Sequence, residues 1–134
     1  MASVKTETLP IVAESDVVLV RHLVRKWASE LSLSLVELTK VVTAASELAR
    51  NVLVHGGGGR MRAEMLQEGL RRGLRLHFED EGKGIADLEL ALRDGYTTGG
   101  GLGLGLGGSK RLVSDFQIVS RVGEGTRVTI TKWK

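Results

Sequence analysis

From Thr97 to Gly108 the chain reads Thr-Thr-Gly-Gly-Gly-Leu-Gly-Leu-Gly-Leu-Gly-Gly, and eight of its 18 glycines fall between Gly95 and Gly108. Glycine loses more backbone entropy on ordering than any other residue, so regular helix or strand is not expected across such a run. Conventional secondary structure has to lie before it or after it. Alternating glycines leave backbone N–H groups able to turn toward an anion, and a helix starting just beyond would add the positive end of its dipole. The other reading is a solvated hinge, for which Leu102, Leu104 and Leu106 are poor choices; a packed lid over phosphates uses them better. The stretch is not a Walker loop, because nothing in the chain satisfies G-x-x-x-x-G-K-[ST].

On either side, hydrophobic periodicity sets out the elements. Ser3 to Val12 is rich in Thr and Val and predicts a first strand, with Pro10 near its end or edge. Val17, Val20, Val24, Trp27 and Leu31 recur at helical spacing behind Ser15 or Asp16, the expected N-caps. A second helix is predicted from Ser34, with Glu37 three residues on to complete a capping box, and it ends at the run Gly56 to Gly59. Met61–Glu68 and Gly73–Asp80 predict two strands; Leu74, Leu76 and Phe78 alternate with Arg75, His77 and Glu79, so one face is buried. A short helix is expected over Asp87–Arg93 and another over Gly107–Asp115. A final hairpin, Phe116–Val122 and Thr126–Trp133, turns around Gly123-Glu124-Gly125. This order predicts an α/β fold of the α+β type, a two-layer sandwich. Its sheet should be mixed or mostly antiparallel, with the helices on one face.

At 134 residues, with no internal repeat and no linker, the chain is read as one domain over 1–134. A net charge of +3 is spread out, with Arg71-Arg72 and Lys110-Arg111 only as pairs, and 4% aromatic residues offer few stacking platforms. Both points argue against a nucleic-acid partner. The absence of cysteine excludes disulfides and thiolate metal sites and suits the cytoplasm. No apolar run approaches the ~18 residues of a membrane span, and no secretory leader is evident, so no membrane partner is expected.

Two further constellations could carry chemistry. Asp80, at a strand end and followed by Gly82 and Gly84, offers a carboxylate that accepts but cannot donate. It would accept from adenine's exocyclic amino group and repel the guanine carbonyl, while the glycines would let a base sit against the backbone. Taken alone, an ordinary surface turn is the stronger reading. Glu47 and Asn51 lie four residues apart on the second helix, hence about 40° apart and off the apolar stripe. Asn51 could supply one oxygen to Mg²⁺, leaving Glu47 as base toward an attacking hydroxyl. A solvated helix face is again the blander alternative. His22, His55 and His77 show no metal-ligand spacing, and His77 is expected on the wet face of its strand.

The wording and order of these pieces are more specific than any one of them. Ser46-Glu47-Leu48-Ala49-Arg50-Asn51, Asp80-Glu81-Gly82-Lys83-Gly84-Ile85, Thr97 through Leu106, and Gly123-Glu124-Gly125-Thr126 resemble the successive boxes of the GHKL ATPases (gyrase, Hsp90, histidine kinase, MutL). The likeness covers nearly the whole chain. Its compactness, the phrase Ser46–Asn51 and the ending Thr131-Lys132-Trp133-Lys134 are similar to the serine-protein kinase branch of bacterial partner-switching modules. The resemblance implies a Bergerat-type fold binding ATP with Mg²⁺, with Asn51 on the metal and Glu47 as the catalytic base. Asp80 would bond the adenine amino group, with Gly82, Gly84 and Thr126 shaping or supporting that pocket. Thr98, Gly101, Leu102, Gly103, Leu104 and Gly105 would belong to a glycine-rich lid over the phosphates, denser in glycine than the family's usual box. It further implies a serine/threonine-protein kinase of a stressosome-type stress module, acting on a STAS-domain antagonist or scaffold. Once released, the kinase would activate an output protein such as a serine phosphatase. The alternative within the same family is an anti-sigma factor that works mainly by sequestering a sigma subunit. A sensor histidine kinase fits less well, because no phospho-acceptor helix pair precedes the ATP boxes.

Overall fold

A computed structural model of the chain describes residues 2–86 and 106–134. Along these residues run β1 (Ala2–Ile11), α1 (Glu14–Glu30), α2 (Leu35–Val54), β2 (Gly59–Glu68), β3 (Arg71–Asp80), α3 (Leu106–Arg111), β4 (Asp115–Arg121) and β5 (Gly125–Trp133). The five strands form one sheet in the order β1-β2-β3-β5-β4, and every neighbouring pair is antiparallel. Of the mixed and antiparallel alternatives, the described residues realise the antiparallel one. The expected helix over Asp87–Arg93 lies outside the described residues.

Register explains why one sheet face is apolar. Met61 faces Phe78 and Phe78 faces Val128; Ala63 faces Leu76 and Leu76 faces Ile130. All six are buried, as are Met65 and Leu74 beside them, and α1 and α2 pack on this face. The opposite face carries Arg62, Glu64, Arg75, His77, Thr129 and Thr131 at the alternate positions, as the two-residue period of a strand requires. Leu66 is the exception, buried on the polar side and outside the main core. It faces Gly73, which in turn faces Trp133. A Cβ on Gly73 would come within 2.6 Å of the Trp133 ring, so this glycine is what lets the indole lie across the sheet, where Arg71 caps it 3.8 Å from the ring centre.

The helices form where the apolar spacing predicts, with two changes at their ends. Val17, Val20, Val24, Trp27 and Leu31 are all buried, but α1 begins at Glu14 behind Ala13, not behind Ser15 or Asp16. Asp16 caps from inside the first turn: its Oδ2 accepts from the N–H groups of Val12 (2.8 Å) and Ala13 (3.0 Å). At α2, Ser34 Oγ accepts from the Glu37 N–H at 3.2 Å as expected. The Glu37 carboxylate, however, pairs with Lys132 of β5 and with Lys40, so it ties the helix to the sheet. Between the helices Ser32 adopts φ 59, and the terminal Lys134 ammonium donates to its carbonyl at 2.7 Å. Among the described residues no helix is long and apolar enough to cross a membrane.

Candidate nucleotide site

The end of β3 and the loop after it build one wall of a cleft against α2. Asp80 Oδ1 accepts from the Gly82 N–H at 2.9 Å and from the Thr126 N–H on β5 at 3.3 Å. Burial raises the Asp80 pKa; the two backbone N–H groups and the nearby His55 pull it down but do not overcome the desolvation. Thr126 Oγ1 lies 2.7 Å from Ser120 Oγ on β4, and that oxygen also takes the Ile85 N–H at 2.8 Å. The loop is thereby fastened to both strands of the last hairpin, and Gly123 N–H donates to the Lys83 carbonyl at 2.8 Å to close it.

Close approach of backbone fixes the glycines here. Gly84 has φ +76, and a Cβ on it would lie 2.1 Å from the Arg121 carbonyl oxygen. Gly125 has φ +95, and its Cβ would lie 2.2 Å from the Asp80 carbonyl oxygen. A Cβ on Gly82 would press on the backbone of Gly56 at 2.8 Å. These residues are small so that the strand ends, the loop and the end of α2 can touch. Gly84 also lines the cleft; Gly82 acts one step away, by packing the loop onto Gly56.

From the other side α2 contributes Leu48, Asn51 and Val52 to the cleft, and its C-cap His55 joins them; Phe78, Ile85, Leu106 and Val128 complete an apolar lining that also includes Lys83. Apolar walls with a few convergent polar groups are the ordinary form of a small-molecule site. Glu47, one turn before Asn51 and half-buried like it, does not line this cleft. It lines an adjoining groove between α1 and α2 with Arg21, Arg25, Thr39, Thr43 and Ser46. One helix therefore serves two cavities: Asn51 faces the cleft, and Glu47 the groove next door.

A family model for the histidine kinase-like ATPase domain matches residues 12–132. The chain belongs to that family. It is 42% identical over 123 residues to serine/threonine-protein kinase RsbT of Bacillus subtilis (strain 168), an alignment that spans 92% of each protein. It is 31% identical over 113 residues to an anti-sigma F factor of Clostridium kluyveri (strain NBRC 12016), covering 81% of this chain and 80% of that one. A crystal structure of the RsbU and RsbW domains of Rv1364c from Mycobacterium tuberculosis superposes with a TM-score of 0.60. It covers 96% of this chain and 31% of that one at 19% identity, which speaks to the fold alone.

For this ATPase domain, Asn51, Asp80, Gly84 and Thr126 come together around one cleft, Gly82 supports it from behind, and Glu47 stands beside it. Thr98, Gly101, Leu102, Gly103, Leu104 and Gly105 lie outside the described residues. Leu106, the last leucine of the glycine track, is buried in the cleft wall as the first residue of α3, which ends at Arg111 and not at Asp115. Sequence reasoning missed His55, Lys83 and Ser120. His55 carried a usable signal, since it follows Asn51 by the same four residues that separate Asn51 from Glu47. Ser120 had none, because its role depends on the β4–β5 register and on the loop that reaches it. His77 is not simply wetted: it contacts Thr129 Oγ1 at 3.1 Å and Glu64 on the neighbouring strand.

Proposed function

We propose that this chain is an ATP-dependent serine/threonine-protein kinase of a bacterial partner-switching module. Its substrate is a serine or threonine on a STAS-domain antagonist or scaffold, and its output partner, once it is released, is a protein such as a serine phosphatase. We place it in the cytoplasm. The observation that carries a kinase reading, over nucleotide binding alone, is the division of α2: Asn51 lines the apolar cleft while Glu47 lines the groove beside it. A carboxylate inside the nucleotide cleft would meet phosphate. One in an adjoining groove meets whatever approaches the phosphate from outside. The similarity to RsbT supports the same assignment.

The residues present fit Mg-ATP. Asp80 Oδ1 is held by two backbone N–H groups, so Oδ2 is the oxygen assigned to adenine's amino group. Phe78, Ile85, Val52 and Val128 supply apolar walls for the base and exclude water from it. Among the described residues no cluster of three or more His, Cys, Asp or Glu could cage a metal. That suits Mg²⁺, which takes one or two protein oxygens and completes its shell from phosphates and water. Asn51 would supply the protein oxygen. When bound, ATP would supply the γ-phosphoryl group and Mg²⁺ would neutralise much of the phosphate charge. Glu47 would accept the proton of the acceptor hydroxyl as that oxygen bonds to the γ-phosphorus and the bond from that phosphorus to the β–γ bridging oxygen breaks, releasing ADP; the Arg21 and Arg25 guanidiniums on the far side of the groove would hold the acceptor segment near it.

The test is incubation of the full chain with labelled ATP, Mg²⁺ and candidate STAS-domain proteins. Label is expected on a serine or threonine of one of them, and Asn51→Ala is expected to abolish it along with Mg²⁺-dependent ATP affinity. The anti-sigma reading is favoured by the 31% identical anti-sigma F factor. Tight ATP binding with no transfer to any STAS protein, and a sigma factor retained from solution, would establish it instead.

A further inference from the structure

Two threonines of β5 form the floor of a polar trough on the sheet face opposite α1 and α2. In register, Arg75 of β3, Thr131 of β5 and Asp115 of β4 make one row across three strands, and His77, Thr129 and Gln117 make the next. Residues two apart along a strand share a face, so both rows point the same way. The middle strand holds short side chains here and its neighbours hold longer ones. The rows therefore leave a hollow of about 400 Å³, lined by these six residues. Its ends are closed along β5, by Arg127 in the row beyond Thr129 and by Trp133, stacked with Arg71, beyond Thr131. Such a volume lies within the ~300–1,000 Å³ of small-molecule sites.

The walls of the trough differ from the rest of this face in what they leave unmatched. Every other ionisable side chain that β2, β3 and β5 place here has an opposite partner: Arg60 and Arg127 on Glu79, Arg62 and His77 on Glu64, and Arg71 on Glu68. Arg75 has no carboxylate partner among the described residues. Its Nε–H donates to Thr131 Oγ1 at 3.0 Å, which satisfies the hydroxyl of a residue only 2% exposed and holds the guanidinium over the floor. The two terminal nitrogens bond to nothing among the described residues, and they form the end-on fork that fits a carboxylate. Across the floor, Asp115 and Gln117 make no side-chain hydrogen bond or ion pair among the described residues. Arg75 and Asp115 both stand opposite Thr131, two strand spacings or about 10 Å apart at Cα, and do not pair with each other.

We propose that this trough binds a small polar α-amino acid, with its carboxylate on the Arg75 fork, its ammonium on Asp115 and its side chain along Thr129 and Gln117. A simple anion would meet Asp115 and a simple cation would meet Arg75, each at a like-charge cost. A zwitterion meets both in the favourable sense. Thr131 keeps its hydroxyl hydrogen for the carboxylate, because its oxygen already accepts from Arg75. His77, held between Thr129 and Glu64, shapes the wall without adding an unmatched charge. The trough opens on the other face of the sheet from the nucleotide cleft, so both sites can be filled together.

Amide-resolved NMR titration of the full chain with L-serine, L-threonine, L-asparagine and L-glutamine tests this. At least one is expected to bind with a dissociation constant of about 0.1–1 mM and to shift the amides around Arg75, Thr129, Thr131 and Gln117. Acetate and methylammonium, each with one of the two charges, are expected to bind at least about tenfold more weakly. Asp115→Asn keeps the size of an exposed side chain and removes its charge, and is expected to weaken the amino acid about tenfold. Arg75→Gln is expected to do the same from the other wall; it also takes a partner from Thr131, so Asp115→Asn is the deciding variant. Glu124→Gln, at the hairpin tip outside the trough, is expected to bind like wild type. Four results each overturn the proposal: no shift of these amides at about 10 mM of any probe, acetate or methylammonium binding as tightly as the amino acid, wild-type affinity in Asp115→Asn, or shifts gathered at Asn51 and Asp80 instead.

Discussion

The cleft and the groove that α2 separates are made from different materials. The base end of the cleft is a backbone construction: strand ends from β3 and β5, a loop fastened by Ser120, and glycines whose missing Cβ atoms let carbonyls approach. The groove is a side-chain construction on two finished helices, where Glu47, Thr43, Arg21 and Arg25 stand on backbone that α1 and α2 would hold in any case. Substitution in the groove should therefore alter chemistry and spare the fold. Substitution of a base-end glycine should not be able to separate the two.

The sharpest contrast is expected from Glu47→Ala. Removing a general base slows a proton-coupled step by about 10²–10⁴-fold. Glu47 does not line the cleft, so the affinity for ATP should stay within about twofold and thermal unfolding within about 0.5 kcal/mol of wild type. Single-turnover transfer from labelled ATP, read beside equilibrium ATP binding, separates these quantities. Transfer at the wild-type rate would remove Glu47 from the base role and leave the groove without its proposed chemistry.

Gly125→Ala attacks the opposite side of the comparison. The new Cβ would have to occupy a position 2.2 Å from the Asp80 carbonyl oxygen at φ +95, so the hairpin and the end of β3 must part. A loss of about 3 kcal/mol is expected, with unfolding about 10 °C lower in a domain of this size. ATP binding should weaken in the same variant, because the Thr126 N–H that orients Asp80 is the next residue. A variant that melts like wild type yet loses ATP would show that the base end is less of a backbone construction than its geometry indicates.

The same distinction governs what the sequence made legible. Periodicity is a local signal, and it gave Val17, Val20, Val24, Trp27 and Leu31 along the first helix and Leu74, Leu76 and Phe78 on β3, all of them buried. It did not give Ala28 or Ala44, which are small enough to be passed over and are buried too. Helix spacing put Glu47 and Asn51 on one side of α2, and their separation into two cavities followed only when α1 was packed alongside. Helix ends were less legible: Asp16 reads as an N-cap but performs its capping from within the helix, and Glu37 reads as half of a capping box but finds Lys132, which is distant in sequence. Gly82 and Gly84 were recognisable as special without revealing what they accommodate. Their neighbours, Gly56 and Arg121, are brought to them by tertiary structure. Ser120 and the polar chain from Ser3 through Glu64 to His77 depend wholly on strand register, which no single strand announces.

Asp80→Asn tests the one residue at which function and stability should pull in opposite directions. Asn keeps the oxygen that accepts from Gly82 and Thr126 but replaces Oδ2 with a donor, which faces the amino group of adenine. ATP affinity is expected to fall by about 10–100-fold, the cost of an unmade hydrogen bond with two donors opposed. Stability should move the other way. Burial raises the Asp80 pKa from the ordinary 3.8, so the folded protein holds this proton more tightly than the unfolded chain does. Wild-type stability therefore falls as pH rises from about 3.8 through the raised value and stays at the lower level to neutrality. Asn has no proton to lose. Relative to wild type it should become progressively more stable across that window and keep its advantage at pH 7, as denaturant unfolding at a series of pH values would show. If Asp80→Asn is instead the less stable protein at neutral pH, the ionised carboxylate is a net support of the hairpin, and the base end is held together by charge as well as by backbone.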